Sequence, residues 1–257
     1  MASVHNINVQ GVKISGINLD SASESIHDAI EAREKGYVCV TGVHGVTEAQ
    51  ERPGFREILN KSFLVTPDGM PMVWMGRLAG NDDIRRVYGP DLMLKICQEG
   101  VDKGHRHFFY GGNDGVAEQL RDSLVERFPG LQIVGTYTPP FRPLNEEEDA
   151  ELSAMVKETK PDIIWVGLST PKQETFMSEY IERLDTTLMF GVGAAFDFHA
   201  GLVPQAPSWM QACGLEWFFR LLKEPKRLWK RYLRNNPLFL MRAAGQLTGL
   251  VRYRLSA

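Results

Sequence analysis

The chain has 257 residues, 43% apolar and 24% charged, which is typical of a soluble globular protein and excludes disordered or fibrous classes. Its three cysteines, Cys39, Cys97 and Cys213, form no CxxC pair, which argues against a disulfide framework or structural zinc and fits a reducing cytoplasm. We expect no signal peptide, since the N-terminus lacks a basic start and an apolar core, and no membrane span, since no run of about 18 apolar residues occurs.

The net charge of −3 is unevenly distributed along the chain. Residues 220–257 contain ten Lys or Arg and a single acid, Glu224, so this tail carries +9 and the preceding chain −12. Residues 214–257, which include this tail, are also rich in Trp, Phe and Leu. These features indicate an anionic partner, which could be a nucleic acid, a phosphorylated ligand or a membrane surface.

Short apolar runs alternate with amphipathic stretches along most of the chain. The runs predict strands within VKISGINL, YVCVTGV, FLVTP, HFFYGG, QIVGTY, DIIWVGL and TLMFGVG. Helices are predicted within SASESIHDAIEAREKG, GPDLMLKICQEGVDKG, NDGVAEQLRDSLVERFPG and NEEEDAELSAMVKETKP. This alternation predicts an α/β fold with a Rossmann-like, largely parallel sheet and helices on both faces. In such folds, ligands bind at the edge where the strands end.

The alternation stops near residue 213. Apolar and basic residues then recur at helical spacing, which predicts two short basic amphipathic helices that are interrupted at Pro225 and again at Pro237. We therefore predict an α/β core over residues 1–213 and a helical, membrane-docking appendage over residues 214–257. In the alternative, the aromatic residues of this segment pack on the core or on another subunit.

Asp68 follows the predicted strand FLVTP within the turn Pro67-Asp68-Gly69. A carboxylate at the ligand edge could take a proton from a substrate hydroxyl. In the alternative, Asp68 caps the helix that follows, which is a common role for Asp before a helix.

Three further turns follow predicted strands or open helices. Arg86 lies beside the helix start Gly89-Pro90, where a guanidinium could bind phosphate by paired hydrogen bonds or be an ordinary surface group. The turn GGNDG offers free backbone amides for an anion but lacks the GxGxxG and Walker spacings. Lys172 and Gln173 open a helix after GLSTP, where a cation opposes the helix dipole, which indicates a ligand role or a solvated first turn.

Asp197 and His199 form a D-x-H pattern within FGVGAAFDFHAG. Such a pair binds a metal on the nucleotide diphosphate in some sugar-nucleotide enzymes. Two residues do not make a metal site, so we predict none, and a metal-dependent transferase stays as an alternative.

Taken in order, TPDGMP, RVYGPD, GLSTPKQE, FGVGAAFDFHAG and APSWMQACGLEWFFRLLKEPKR resemble the WecG/TagA/CpsF glycosyltransferases, family 26. The matching segments extend from about Thr41 to Arg234. The resemblance implies an inverting, metal-independent transfer from a UDP-sugar to a sugar on a polyprenyl diphosphate, in cell-surface polysaccharide synthesis. It also implies a peripheral position on the inner face of the cytoplasmic membrane, with no cofactor and no nucleic acid.

The resemblance assigns roles to particular residues. It implies Asp68 as general base, with Arg86 and Gln173 as further active-site residues. The substrate-binding positions it implies are Thr41, Asp197, Arg220, Arg227 and Arg231. Lys172 joins them as a predicted substrate-binding residue because its charge opposes the helix dipole. One departure concerns the early loop, where many members have T-x-N, whereas here Gly42, Val43 and His44 follow Thr41.

A protein of another class fits part of the same pattern. A nucleotide-binding regulatory or scaffold protein could use the basic tail to bind nucleic acid, because tail spacing does not separate a lipid surface from a phosphate backbone. The exposed apolar residues of the tail would need cover in solution, and assembly of a homo-oligomer is one way to provide it.

Overall fold

The computed structural model describes residues 4–255, and strands alternate with helices along most of this length. The eight strands are β1 (Asn6–Val9), β2 (Val12–Ser15), β3 (Gly36–Thr41), β4 (Leu64–Pro67), β5 (Arg106–Gly111), β6 (Gln132–Tyr137), β7 (Ile163–Gly167) and β8 (Leu188–Gly191). The first helices are α1 (Leu19–Glu31), α2 (Val43–Glu51), α3 (Pro53–Lys61), α4 (Met70–Leu78), α5 (Gly89–Lys103) and α6 (Val116–Arg127). The later ones are α7 (Glu146–Thr159), α8 (Lys172–Tyr180), α9 (Ala195–His199), α10 (Ser208–Ala212), α11 (Glu216–Lys223) and α12 (Pro225–Leu247).

Six strands form one sheet in the order β4-β3-β8-β7-β5-β6, and helices flank it. The ladders β3–β8, β8–β7, β7–β5 and β5–β6 are parallel, as the alternation of strands and helices predicts. The fully buried Trp165, Phe108, Phe109 and Phe190 come from the central strands. The predicted α/β class is therefore confirmed.

The first predicted strand lies outside this sheet. Within VKISGINL only β2 is extended, and it pairs antiparallel with β1 in a separate hairpin. Gln10 and Gly11 have φ of 50° and 81°, a left-handed pair that closes a two-residue turn between the strands. The sequence prediction did not separate this hairpin from the parallel sheet, because both kinds of strand present apolar, β-branched residues.

By its internal contacts the described chain divides into two units. The first unit comprises residues 23–39 and 89–204, and the second comprises residues 4–22, 40–88 and 205–255. The predicted division at residue 213 stays a prediction.

In the second unit, α12 packs against α2. It buries Leu228, Asn235, Phe239 and Ala243. The amide Nε2 of Gln10 donates a hydrogen bond of 3.0 Å to the backbone oxygen of Phe239. The C-terminal segment is therefore part of the packing of this unit.

The predicted interruptions of the tail are half right. Pro225 is the first residue of α12, a position where its missing N–H costs nothing, and α11 ends before it. The predicted break at Pro237 is wrong, because α12 continues through it. The buried face of α12 stabilises the helix on both sides of Pro237 and offsets the one lost backbone hydrogen bond. Within residues 4–255, none of the helices is both long enough and apolar enough to cross a bilayer.

Candidate active site

Asp68 lies directly after β4, whose residues are all buried. Its backbone N–H donates to the oxygen of Thr41 at 3.0 Å and to that of Thr66 at 2.9 Å. Gly69, with φ of 90°, occupies the N-cap position of α4 and turns the chain sharply. Asp68 is therefore not the N-cap residue of α4, and 31% of its side chain is exposed.

Thr41 is the last residue of β3 and is buried. The next residue, Gly42, packs against the backbone after β4, since a Cβ on Gly42 would lie 2.7 Å from the oxygen of Asp68. Any larger residue at position 42 would push the two strand ends apart. Thr41 and Asp68 are thus neighbours at the carboxyl ends of adjacent strands.

Arg86 is held on several sides and is only 14% exposed. Its Nη1 donates to Oε1 of Gln211 at 2.9 Å, and its Nη2 forms an ion pair with Glu216. The guanidinium carbon lies 3.9 Å above the ring of Tyr88, in a cation–π contact. Oδ1 of Asp68 is 3.9 Å from Nη2, too far for a hydrogen bond. Burial by itself lowers the pKa of Arg86, but the nearby carboxylates of Asp68 and Glu216 raise it overall.

Arg220 on α11 and Arg231 on α12 lie near each other and near Tyr232. Burial by itself lowers the pKa of Arg220. The nearby side chains of Tyr232, Tyr88, Glu216 and Asp68 have the opposite effect, and the pKa is raised overall. The pKa of Arg231 is lowered by burial and by the charges of Arg220 and Arg227. Two guanidinium groups that are partly buried and near one another bind an anion more strongly than exposed ones, because water screens them less.

Arg227 is placed differently from the other two arginines. It is 58% exposed, and its Nη2 donates to Oε2 of Glu224 at 2.6 Å within the same helix turn. Its charge nevertheless acts on Arg231.

His44 is a further residue of this group that was not among the predicted site residues. It is the second residue of α2, and burial together with the charge of Arg231 lowers its pKa to about 4. His44 is therefore neutral at pH 7, with one ring nitrogen able to donate a hydrogen bond and the other able to accept one. It had been noted only as a departure from the family pattern, and no sequence signal linked it to Arg231.

In the first unit, Gln173 and Glu174 form a buried pair at the start of α8. Oε1 of Glu174 accepts from the hydroxyl of Thr170 at 2.9 Å and from Nε2 of Gln173 at 3.2 Å. Burial raises the pKa of Glu174, despite these hydrogen bonds. A Cβ at Gly191 would lie 3.0 Å from Nε2 of Gln173, so a glycine there makes room for the amide. Lys172, the preceding residue, is exposed.

Asp197 and His199 lie on the short helix α9, also in the first unit. Nε2 of His199 donates to the backbone oxygen of Pro90 at 3.0 Å, and burial lowers the pKa of its imidazole. Across residues 4–255, no group of three or more His, Cys, Asp or Glu could hold a metal ion.

The structure therefore divides the predicted site residues into two sets. The second unit brings Thr41, Asp68, Arg86, Arg220 and Arg231 into one cluster, with Arg227 at its exposed side. It adds five residues that were not predicted for the site, His44, Tyr88, Gln211, Glu216 and Tyr232. The first unit carries Lys172, Gln173 and Asp197.

The family of the chain follows from its similarity to known proteins. Residues 7–252 match the family model described as "Glycosyl transferase WecG/TagA/CpsF family". The chain belongs to the WecG/TagA/CpsF family. It is therefore a glycosyltransferase, and the alternative of a nucleotide-binding regulatory protein is set aside.

Curated members of the WecG/TagA/CpsF family include close matches in Bacillus and Staphylococcus. A protein of Bacillus spizizenii is 31% identical over 186 residues, which cover 72% of this chain and 70% of that relative. One of Bacillus subtilis is 31% identical over 177 residues, or 69% of this chain and 67% of the relative. One of Staphylococcus aureus is 24% identical over 244 residues, or 92% and 93%. All three are named N-acetylglucosaminyldiphosphoundecaprenol N-acetyl-beta-D-mannosaminyltransferase.

Proposed function

We propose that this WecG/TagA/CpsF transferase moves a sugar from a UDP-sugar to a saccharide on a polyprenyl diphosphate, in the synthesis of a cell-surface polymer. The names of the relatives describe an acceptor of this class, an N-acetylglucosamine on undecaprenyl diphosphate, and an N-acetylhexosamine as the sugar transferred. The observation that carries the proposal is the partly exposed Asp68 carboxylate beside the half-buried Arg86 and Arg220, with Arg231 near Arg220.

Asp68 is proposed as the general base. Its carboxylate would take the proton of an acceptor hydroxyl while that oxygen attacks the anomeric carbon from the face opposite the leaving UDP. One such displacement inverts the configuration of the anomeric carbon. A positioned base typically contributes about 10²–10⁴ in rate.

The leaving diphosphate needs positive charge as its bond to the sugar breaks. Arg86, Arg220 and Arg231 supply three guanidinium groups in the same unit as Asp68. Fixed cations aimed at developing charge stabilise a transition state without a divalent ion. We therefore propose a metal-independent transfer, with Arg227 as a fourth, more exposed contact for the phosphates.

Gln173 is proposed as a further catalytic residue. Its buried amide donates a hydrogen bond to Glu174 at 3.2 Å. Thr41, Lys172 and Asp197 are proposed to bind the donor, with Asp197 toward the nucleoside end. The assignments of Gln173, Thr41 and Asp197 rest on family resemblance, whereas that of Lys172 rests on its exposed charge at a helix start.

The acceptor is bound to a lipid, so the transferase must work at a membrane surface. The C-terminal segment exposes large apolar side chains among its basic residues, including Phe218, Leu222, Trp229, Leu233 and Leu240. Apolar residues that enter the headgroup region next to Lys and Arg that meet anionic lipids are the pattern of an interfacial helix. We propose that the protein lies on the inner face of the cytoplasmic membrane through α11 and α12.

A donor screen tests the proposed function. Purified protein would be mixed with UDP- and GDP-sugars, a short-chain polyprenyl-diphosphate N-acetylglucosamine and EDTA, and release of nucleoside diphosphate would be followed. UDP-N-acetylmannosamine is the first donor to test, and because His44 departs from the family pattern, UDP-N-acetylglucosamine and UDP-hexoses belong in the panel. Acceptor-dependent release of UDP is expected with one donor. If no donor gives release and UDP does not bind, the proposal is wrong.

A further inference from the structure

Glu216 is an acidic residue in a basic segment, and its side chain is only 14% exposed. It is the first residue of α11, and together with Glu224 it is one of two acids in residues 214–257. Its carboxylate forms the ion pair with Arg86 and accepts a hydrogen bond from the hydroxyl of Tyr88. A buried carboxylate with two such partners has a defined position.

The position of Glu216 decides where the guanidinium of Arg86 lies. Glu216 and Gln211 each accept a hydrogen bond from Arg86, while the ring of Tyr88 supports its flat face. Asp68 is the other carboxylate within reach, and its Oδ1 is 3.9 Å from Nη2. Arg86 thus makes direct hydrogen bonds to Glu216 and only a longer charge contact to Asp68.

The geometry points to Glu216 as a positioning residue that holds Arg86 at a distance from Asp68, so that no direct hydrogen bond from Arg86 lowers the basicity of the Asp68 carboxylate. This inference rests on the proposed function, in which Asp68 is the base. Glu216 itself touches no reacting atom in this account and acts through Arg86.

The physical reason lies in competition between two carboxylates for one guanidinium. A half-buried guanidinium is stable only when a carboxylate or other acceptor pairs with it. If Glu216 lost its charge, Asp68 would be the carboxylate left near Arg86. We expect Arg86 to form direct hydrogen bonds with Asp68 in that case. A carboxylate that is bound by a guanidinium loses basicity, and removal of a second negative charge nearby lowers it further.

Among residues 4–255, four charged or titratable groups act on Glu216 besides the proposed base. They are Arg86 and Tyr88 on the loop before α5, Arg220 on α11 and Tyr232 on α12. Burial raises the pKa values of both tyrosines, so they stay neutral through the pH range of a transferase assay. A shift of the pH profile caused by the loss of Glu216 therefore reports on the proposed base rather than on these tyrosines.

The test compares Glu216→Gln, Glu216→Asp and wild type by the dependence of kcat and kcat/KM on pH, with the full-length protein and the active donor. For Glu216→Gln we expect kcat at neutral pH to fall roughly tenfold, the donor KM to change less than about twofold, and the acid limb of kcat/KM to move about one unit lower. Glu216→Asp retains the charge and should keep the acid limb of the wild type.

A matched control is Glu51→Gln, the same chemical change at the exposed ion pair of Glu51 with Arg234 in the same unit. It should leave both kinetic constants and the pH profile unchanged. The inference is wrong if the acid limb of kcat/KM of Glu216→Gln lies at the same pH as in wild type, whether kcat falls or only KM rises. Glu216 would then stabilise the position of α11 without affecting the proposed base. Failure of the proposed function looks different, since wild type itself would then release no UDP or Asp68→Asn would be fully active.

Discussion

The guanidinium of Arg86 forms an ion pair with the carboxylate of Glu216, a residue 130 positions further along the chain. The pair joins the loop before α5 to the first turn of α11, and Oδ1 of Asp68 lies 3.9 Å from the same guanidinium. The candidate active site of the second unit therefore depends on three segments that are remote in sequence.

Replacement of Arg86 by Lys should lower kcat/KM by roughly a hundredfold, although the charge is retained. An ammonium group cannot make the planar contact with Tyr88 and at the same time the hydrogen bonds to Gln211 and Glu216. Steady-state kinetics with the active donor would measure the loss. Arg85→Lys, at the exposed neighbouring position, is the control. Equal activity of Arg86→Lys and wild type would contradict the proposed role.

The arginines of α11 and α12 should bind the diphosphate of the donor. Arg220→Gln and Arg231→Gln are each expected to lower kcat/KM for the donor by about 10²-fold, since each removes a partly buried cation next to the leaving group. Arg234→Gln removes an exposed arginine that pairs with Glu51 and should have little effect on donor kinetics. Similar losses in all three variants would mean that the effect comes from the net charge of the tail alone.

The exposed lysines of α12 should contribute to binding at anionic membranes. The double variant Lys226→Glu and Lys230→Glu is expected to weaken binding to vesicles that contain anionic lipid by at least tenfold, because each basic residue near such a surface contributes about 1 kcal/mol. Sedimentation with anionic and with zwitterionic vesicles measures this. The control variant Lys61→Glu and Lys157→Glu makes the same charge change on α3 and α7. Unchanged binding of the α12 variant would rule out this docking surface.

Deletion of the tail is a poorer test than these point variants. Residues 225–247 form α12, which buries four residues in the second unit, so truncation would also remove packing. Loss of activity after truncation would not separate a lost membrane contact from an unfolded unit.

Glu174 should make the protein less stable as the pH rises. Its pKa is raised by burial above its ordinary value near 4.5, so above that pH the folded state holds a proton that the unfolded state has released. Stability is then lost with increasing pH, by at most about 1.4 kcal/mol per pH unit, until the folded-state pKa is reached. The free energy of unfolding of Glu174→Gln and of wild type should therefore be measured with denaturant at pH 5 and at pH 8. We expect Glu174→Gln to be more stable than wild type at pH 8 but not at pH 5.

The control for this prediction is Glu158→Gln, which changes an exposed carboxyl group of α7 and should alter stability at neither pH. A Glu174→Gln variant as stable as wild type at pH 8 would mean that Glu174 is ionised in the folded protein.

The parts of the fold that the sequence predicted are those with local signals. The turn after β4, the start of α5 at Gly89 and Pro90, and the first turn of α8 each combine a buried strand or an amphipathic helix with Gly or Pro. Those signals depend on neighbouring residues, so they can be interpreted without the tertiary structure.

The parts that were missed depend on contacts between distant segments. Glu216 was visible only as an acid in a basic stretch, and nothing in the sequence indicated that it would meet Arg86 and Tyr88. His44 likewise gains its low pKa from burial and from Arg231 on α12. The break expected at Pro237 failed for the same reason, because packing of α12 against the rest of its unit outweighs a local helix breaker.

Two measurements on Asp68→Asn test directly whether Asp68 is the general base. The first is the rate of single-turnover transfer with the active donor and a lipid-linked acceptor, and the second is the affinity of the same variant for UDP. Asp83→Asn, in an exposed loop of the same unit, is the control. The account predicts transfer slower by about 10²–10⁴ with UDP affinity within about twofold of wild type, because the amide has the shape of the carboxylate but does not accept the proton. Transfer by Asp68→Asn at the wild-type rate would contradict the assignment of Asp68 as the base.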